Sequence, residues 1–192
     1  MNSPDILQGL NPAQHDAVIH RGGPLLVVAG AGSGKTRVLT QRIAHLIQED
    51  NINPFQILAI TFTNKAAQEM KDRVAALVGP VAEKMWVSTF HSACVRILRR
   101  DAEQLGYPSA FSIYDQADAT RLTGYVVRDL GLDNKKFVAR SVHAQISNLK
   151  NELISTDAAL DSADGIFGRK IAEIYDEYQR RLRSAGAMDF YD

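Results

Sequence analysis

Cysteine is almost absent from this sequence of 192 residues, in which Cys94 is the only one. The chain therefore forms neither an internal disulfide nor a cysteine-based metal cage, and Cys94 is most simply a small core residue. Long apolar runs are absent too: no stretch approaches the length of about 18 residues that suggests a membrane span, and the N-terminus shows no cleavable signal pattern. These absences predict a soluble protein of the cytoplasm, without membrane partners.

Net charge is also lacking, because 22 basic side chains balance 22 acidic ones. A zero balance gives no overall attraction to nucleic acid. The average conceals an asymmetry, however, since residues 1–100 carry 11 basic and 7 acidic residues whereas residues 101–192 carry 11 and 15. Charge thus permits polyanion binding in the first half of the chain without demonstrating it.

A glycine-rich loop is the most informative feature that the sequence does contain. The segment AGAGSGKT, residues 29–36, follows the apolar run 25–28 and leads into a helix-like stretch at 37–48. The pattern G-x-x-x-x-G-K-[ST] binds phosphate where it joins a strand to a helix, because amides at the helix N-terminus then face the anion. Ala29 stands where the strict pattern has glycine, which is a small loss because later residues build the cradle.

Each residue type in this loop has a physical reason. Glycine has no Cβ, so Gly30, Gly32 and Gly34 allow sharp turns and a close approach of the backbone to phosphate. Lys35 supplies a positive charge for the β- and γ-phosphates of a nucleotide, and the hydroxyl of Thr36 suits Mg²⁺. The loop therefore predicts a site for a nucleoside triphosphate with Mg²⁺, and a plain glycine-rich turn is the alternative.

The first half of the chain alternates strand and helix patterns. Buried strands are predicted at residues 25–29 and 57–62, and a shorter strand is predicted at 86–88. Alternation of this kind builds a parallel sheet with helices on both faces, which is an α/β fold. The predicted helices cover residues 13–20, 37–48, 66–78 and 90–105.

Beyond Gly106 the pattern becomes mainly helical. Asp115 can cap one helix, a second helix is predicted at about 138–150, and an apolar stripe within residues 171–182 marks a third. No strand of comparable strength appears, and the polar residues 157–168 indicate a connector. A mainly helical unit is therefore attached to the α/β domain or inserted into it.

Two further motifs lie where predicted parallel strands end. TFTNKAA, residues 61–67, follows the second strand, and STFHS, residues 88–92, accompanies the third. Ligands bind at this edge of open α/β sheets, and each motif combines an aromatic ring with small polar groups. Such groups can stack on a nucleobase and hold phosphate, as in single-strand binding. The alternative that each phenylalanine belongs to the core stays open.

Motifs in a fixed order carry a family resemblance. They are LNPAQ, AGAGSGKT, ILAITFTNKAA with EMKDR, and MWVSTFHSACVRILRR. In this order and at these spacings they resemble the N-terminal third of the UvrD/PcrA/Rep family of superfamily-one DNA helicases. SIYDQAD, ISNLKNELI and MDFYD are similar to further family stretches, so the resemblance covers essentially the whole chain.

The resemblance implies a motor that uses ATP and Mg²⁺, moves 3′ to 5′ along single-stranded DNA and unwinds duplexes at single/double-strand junctions, with a role in DNA repair. It implies a P-loop NTPase (RecA-like) sheet, incomplete in this chain, with an inserted helical subdomain near the duplex. Lys135, Lys136 and Lys150 would touch duplex phosphates there or, more simply, be solvated. The implied domains are residues 1–106 and 107–186, with the return to the motor domain at 187–192.

The same resemblance assigns roles to single residues. Gln14 would read adenine, although its pattern also fits a solvated helix glutamine, and Arg37 would lie against the adenine face. Lys35 and Thr36 would be catalytic, with Thr36 as the Mg²⁺ ligand. The implied nucleotide site comprises Gln14, Ala29, Gly30, Ala31, Gly32, Ser33, Gly34, Lys35, Thr36 and Arg37, and the implied single-strand track comprises Phe62, Thr63, Asn64, Thr89, Phe90 and His91.

Parts of the family pattern have no counterpart in these residues. The acidic strand that completes the Mg²⁺ site is missing, since the Asp176-Glu177 pair lies on a predicted helix, and so are the arginine fingers, each worth about 10³ to 10⁵ in rate. We therefore expect an N-terminal fragment that is inactive in hydrolysis by itself. An ATP-binding subunit of a helicase–nuclease and a nucleotide-dependent DNA-binding module that does not hydrolyse ATP are the alternatives.

Overall fold

The structure is a computed structural model that describes residues 6–192, so the first five residues of the predicted first domain lie outside the described part. The chain divides into two compact units between Cys94 and Val95. The first unit is an α/β arrangement and the second is mainly helical with a short strand pair. The assignment of residues 107–186 as an insertion remains a prediction.

In the first unit, the predicted strands at residues 57–62 and 86–88 form and pair in parallel. Thr61 lies opposite Thr89 in the register, so the two strands end side by side. The elements are α1 (Pro12–Ile19), α2 (Lys35–Gln48), β1 (Leu58–Thr61), α3 (Asn64–Val78), β2 (Trp86–Thr89) and the start of α4 (Phe90–Asp101), with 3₁₀ segments at Pro54–Gln56 and Pro80–Lys84.

One face of this strand pair packs against helices α2 and α3 to form a hydrophobic core in the first unit. Ala59 of β1 and Val87 of β2 are buried there against Ile43 of α2 and Val74 of α3. Burial of such apolar side chains contributes about 25 cal/mol per Å² of area removed from water. Strand β1 is only half-buried, because Ile60 on its other face is exposed. The predicted cover of helices on both faces of the sheet stays a prediction.

The prediction of a buried strand at residues 25–29 is wrong for this structure. The segment has no regular secondary structure, and Leu26 and Val28 are 86% and 87% exposed. An apolar run becomes a strand only where neighbouring strands accept its backbone hydrogen bonds. The strands described in the first unit, β1 and β2, pair with each other and leave this run without a ladder.

The three helices predicted in the second unit are confirmed. Asp115 caps the first of them by accepting hydrogen bonds from two backbone amides, and the stripe at residues 171–182 is buried in the unit's core. The elements are the remainder of α4, a 3₁₀ segment at Ala102–Leu105, β3 (Ser112–Tyr114), α5 (Gln116–Asp129), α6 (Ala139–Asn151), α7 (Thr156–Asp161), α8 (Gly165–Ser184) and β4 (Ala187–Asp189).

Two features of the second unit differ from the prediction. Strands β3 and β4 pair in parallel, although no strand was predicted in this half. Each has only three residues, too few to show an alternating pattern. Helix α7 overlaps the predicted connector 157–168, and the side chain of Ser155 caps the helix by accepting a hydrogen bond from Ala158 N–H.

A buried charge cluster joins α6 and α8 to the end of the chain. The Lys150 ammonium lies 3.0 Å from Asp189 Oδ2 and 2.8 Å from Asp192 Oδ1. Tyr178 donates a hydrogen bond of 2.6 Å to Asp189. Burial alone would raise the pKa of Asp189, but the charge of Lys150 and the hydrogen bonds outweigh it and lower that pKa. The prediction that Lys150 is solvated or touches DNA is therefore wrong.

We expect Lys150→Met to lower the free energy of unfolding of the second unit by about 3–5 kcal/mol, because it leaves a buried carboxylate without its cation. Lys135→Met at an exposed position is the matched control and should change the stability by less than about 0.5 kcal/mol. Urea titration followed by circular dichroism measures both. Equal stability of the two variants would contradict this account of the cluster.

Candidate functional site

The glycine-rich loop opens directly into helix α2. Gly34 is the N-cap residue with φ of 82°, a left-handed conformation that favours glycine. The first intrahelical bond runs from Val38 N–H to Gly34 O at 2.9 Å. The amides of residues 35–37 therefore precede the helical ladder and point out of the helix end. Unpaired amides at the positive end of a helix dipole fit a phosphate group.

Lys35 folds back over this loop. Its ammonium donates hydrogen bonds to the carbonyl oxygens of Ala29 at 2.9 Å and of Gly30 at 2.6 Å. Ser33 closes the same turn, because its hydroxyl donates to Gly30 O at 2.7 Å. Of the predicted glycines, Gly32 and Gly34 have positive φ whereas Gly30 does not. The exposed ammonium is thus placed where it can exchange carbonyl acceptors for phosphate oxygens.

Gln14 ties helix α1 to the loop. Its Oε1 accepts a hydrogen bond of 3.0 Å from the backbone N–H of Asn11, which completes a capping box at the start of α1. Its Nε2 donates a hydrogen bond of 2.9 Å to Ser33 O. A Cβ on Gly34 would lie 3.0 Å from that Nε2. Gln14 therefore lies beside the loop, but both ends of its amide are engaged.

Arg37 stands on the first turn of α2, next to this group. Its guanidinium Nη2 donates a hydrogen bond of 2.9 Å to the carbonyl oxygen of Gln8, in the turn before α1. The predicted nucleotide residues are thus brought together from the turn, α1, the loop and α2. Sequence reasoning missed Gln8, because a carbonyl contact leaves no signature in the side-chain pattern. Ala31, Gly32 and Thr36 are exposed at the same loop.

The second group of predicted residues follows the paired strand ends. Because Thr61 and Thr89 are register partners, Phe62 and Phe90 leave β1 and β2 at equivalent positions. Phe62 is 99% exposed and Phe90 is 60% exposed. The alternative of core phenylalanines is therefore excluded for this structure, and two aromatic rings are available to solvent at one edge of the sheet.

Small hydroxyl groups shape the backbone beside these rings. Thr63 is the N-cap of α3, and its hydroxyl accepts a hydrogen bond of 3.1 Å from Ala66 N–H. Thr61 Oγ1 donates to Thr63 O at 2.9 Å. The hydroxyls of Thr89 and Ser92 lie 2.8 Å apart. Ser92 belongs to the STFHS motif but is not among the residues predicted for the single-strand track.

His91 and Asn64 complete this second group. His91 lies beside Phe90 with a centroid separation of 6.1 Å and rings close to perpendicular. Asn64 is the first residue of α3 and is exposed. Both strand ends thus lead directly into helices, α3 and α4, whose first amides point towards the exposed edge. The combination of exposed rings, hydroxyls and helix N-termini can stack on bases and donate to phosphates.

Residues 6–192 contain neither a cluster of metal ligands nor a helix that could span a membrane. Within residues 6–192, no group of three or more His, Cys, Asp or Glu side chains is arranged to hold a metal ion. The hydroxyl of Thr36 is the one predicted metal ligand, and it is exposed at the start of α2. None of the helices in the same range combines the length and the apolar composition that a bilayer crossing demands.

Several known proteins are similar to this chain. ATP-dependent DNA helicase UvrD1 of Mycobacterium bovis is 58% identical over 193 residues, which cover 97% of this chain and 25% of that protein. ATP-dependent DNA helicase PcrA of Bacillus subtilis is 49% identical over 190 residues, covering 99% of this chain and 26% of that protein. PcrA of Staphylococcus aureus is 50% identical over 187 residues, with 97% and 26% covered.

The chain thus spans about a quarter of the length of the curated relatives it matches. The family model of the UvrD/REP helicase N-terminal domain matches residues 10–192, which include both groups of candidate site residues. This match agrees with the motif order on which the resemblance rests. The chain therefore belongs to the family of UvrD/REP helicase N-terminal domains.

Proposed function

We propose that this chain is the N-terminal part of an ATP-dependent DNA helicase that acts in the cytoplasm, moves 3′ to 5′ along single-stranded DNA and unwinds duplexes in DNA repair. One observation carries the proposal. A single compact unit combines a glycine-rich loop of the phosphate-binding pattern at the start of α2 with two exposed phenylalanines at adjacent strand ends. Its relatives are named ATP-dependent DNA helicases, which agrees with this assignment.

The loop residues 29–37 and Gln14 form the nucleotide site in this proposal. The amides of the loop and of the first turn of α2 hold the phosphates, and Lys35 gives up its contacts with Ala29 O and Gly30 O to bind them. Thr36 is the protein ligand of Mg²⁺, which neutralises phosphate charge when bound. Gln14 exchanges one of its two hydrogen bonds for the adenine edge, and Arg37 lies on the adenine face.

The strand ends form the single-strand track. Phe62 and Phe90 stack on bases, with a contribution of about 1 to 3 kcal/mol per base. Phosphates of the strand contact the hydroxyl and amide groups beside the rings and the N-termini of α3 and α4. The proposed contacts besides the rings are Thr63, Asn64, Thr89 and His91.

The helical unit lies near the duplex at the single/double-strand junction in this proposal. Lys135 and Lys136 are exposed and remain candidates for duplex phosphates, whereas Lys150 is engaged by two carboxylates. The 192-residue chain by itself binds the nucleotide without hydrolysing it. Both hydrogen bonds that Lys35 makes among the described residues go to carbonyl oxygens, and neither goes to a carboxylate.

Lys35→Ala should weaken binding of Mg-ATP to the 192-residue chain by about ten- to a hundredfold, because a charged hydrogen-bond donor to phosphate is lost. Isothermal titration calorimetry measures the affinity. Lys84→Ala removes an exposed lysine elsewhere in the first unit and should leave the affinity within about twofold. Unchanged ATP binding by Lys35→Ala would refute the assigned role of the loop.

Phe62→Ala in the full-length protein should weaken binding to a single-stranded oligonucleotide by about five- to a hundredfold, while ATP affinity is unchanged, because a stacking surface is lost. Fluorescence anisotropy measures DNA binding. Phe55→Ala is the matched control, since Phe55 is 69% exposed but lies in the segment that precedes β1, away from the strand's C-terminal end. Equal losses for the two variants would speak against a track at the strand ends.

The 192-residue chain should show no ATP hydrolysis above background in a phosphate-release assay, with or without single-stranded DNA, although it binds Mg-ATP. The physical reason is that transition-state stabilisation by an acidic strand and arginine fingers is missing, and a finger alone is worth about 10³ to 10⁵ in rate. DNA-stimulated hydrolysis that survives in the wild-type chain and disappears in Lys35→Ala would disprove this expectation.

A further inference from the structure

The turn before α1 lies so close to Arg37 that a side chain at position 9 would displace the guanidinium. Gly9 has φ of 73°, and a Cβ built on it would lie 2.9 Å from Arg37 Nη2 and 3.8 Å from the guanidinium carbon. Real Cβ atoms essentially never have a neighbour closer than 3.0 Å, so the guanidinium would have to shift. The neighbouring carbonyl, of Gln8, accepts the hydrogen bond from the same Nη2 at 2.9 Å. The guanidinium is therefore seated on the backbone of this turn.

The turn is held in place independently of Arg37. Ile6 at its start is buried. Leu7 and Leu10 pack against a small core formed by Ala17 and Val18 of α1 and by Val38 of α2. Val38 is the residue next to Arg37 on α2. The turn is thus anchored to the helix that carries Arg37, so its carbonyl can serve as a fixed acceptor for the guanidinium.

We propose that Gly9 is a positioning residue for the base end of the nucleotide site, because its missing Cβ lets the Arg37 guanidinium lie on the turn and bond to Gln8 O. The inference rests on the proposed function of this site. The contact limits the rotation of a long side chain, which would otherwise lose conformational entropy when a base binds. Gly9 and Gln8 thus act on the nucleotide through Arg37 and do not touch it.

A glycine with positive φ has a second possible role, since a left-handed backbone strains other residues whatever the space around them. Gly22 separates the two effects. It has φ of 81°, but a Cβ there meets nothing within 4 Å. Gly22→Ala therefore reproduces the backbone strain without the contact. In Gly9→Ala, by contrast, the clash involves the mobile end of a side chain, so Arg37 should move away while the fold persists.

The experiment compares Mg-ATP with inorganic tripolyphosphate, which has phosphates but no base, on the 192-residue chain by calorimetry. Gly9→Ala should weaken ATP binding by about three- to tenfold and leave tripolyphosphate binding within about twofold. Gly22→Ala should change neither affinity. In an Arg37→Ala background, Gly9→Ala should have no further effect on ATP, because the residue through which it acts is gone. Arg37→Lys, which keeps the charge without the planar group, should reproduce the loss with Gly9 intact.

The proposal would be overturned by equal losses for ATP and tripolyphosphate, by a loss that persists in the Arg37→Ala background, or by a Gly9→Ala chain that fails to fold while Gly22→Ala folds. Failure to fold counts because displacement of Arg37 should relieve the contact. A wild-type chain that binds neither compound would instead refute the proposed nucleotide site itself. Binding of both compounds with an unchanged ratio in Gly9→Ala would refute the role of Gly9 alone.

Discussion

Helix α2 must begin at Lys35, directly after a left-handed Gly34, for the residues of the proposed nucleotide site to meet. This start points three amides out of the helix and sets Lys35, Thr36 and Arg37 on the first turn. The same helix buries Ile43 against β1 and β2, so its axis is held by the core of the first unit. The exposed chemistry at one end of α2 is therefore positioned by apolar packing along its length.

Packing alone does not orient the polar groups at this end of the helix. Gln14 and Arg37 are held instead by backbone groups: Gln14 by the Asn11 amide of its own capping box and by Ser33 O of the loop, and Arg37 by Gln8 O of the turn before α1. Side chains held in this way lose less entropy when a ligand arrives. In the proposed site, Gln14 exchanges one of its two hydrogen bonds for the adenine edge, whereas Arg37 keeps its bond to Gln8 O.

The strand ends follow a different principle. A parallel register places Thr61 beside Thr89, and each strand then turns at once into a helix. Phe62 and Phe90 are the residues at which the chain leaves the sheet, and their rings are exposed to solvent. In the second unit, by contrast, charged groups are buried rather than exposed, because Lys150 and Asp189 form an ion pair with each other. A buried pair of this kind locks one arrangement and is unavailable to a ligand.

Local sequence was sufficient for the features that depend on near neighbours in the chain. Asp115 indicates a helix start, and the apolar stripe at residues 171–182 indicates a buried helix face, because capping and helical periodicity act over a few residues. Motif order was sufficient to indicate the family. The residue types of the loop predict phosphate-binding chemistry at the start of α2, and this stays a prediction.

Tertiary structure alone decided the features that depend on distant partners. The run at 25–28 has the composition of a buried strand and is exposed, because strand formation requires hydrogen-bonding neighbours. Lys150 has the sequence signature of a surface lysine and is buried, because Asp189, far along the chain, neutralises it. The contact of Arg37 with the turn at Gln8 and Gly9 likewise depends on a partner far away in the sequence. Sequence determined which groups this protein possesses, whereas the meeting of remote segments determined which of them face solvent and which hold one another.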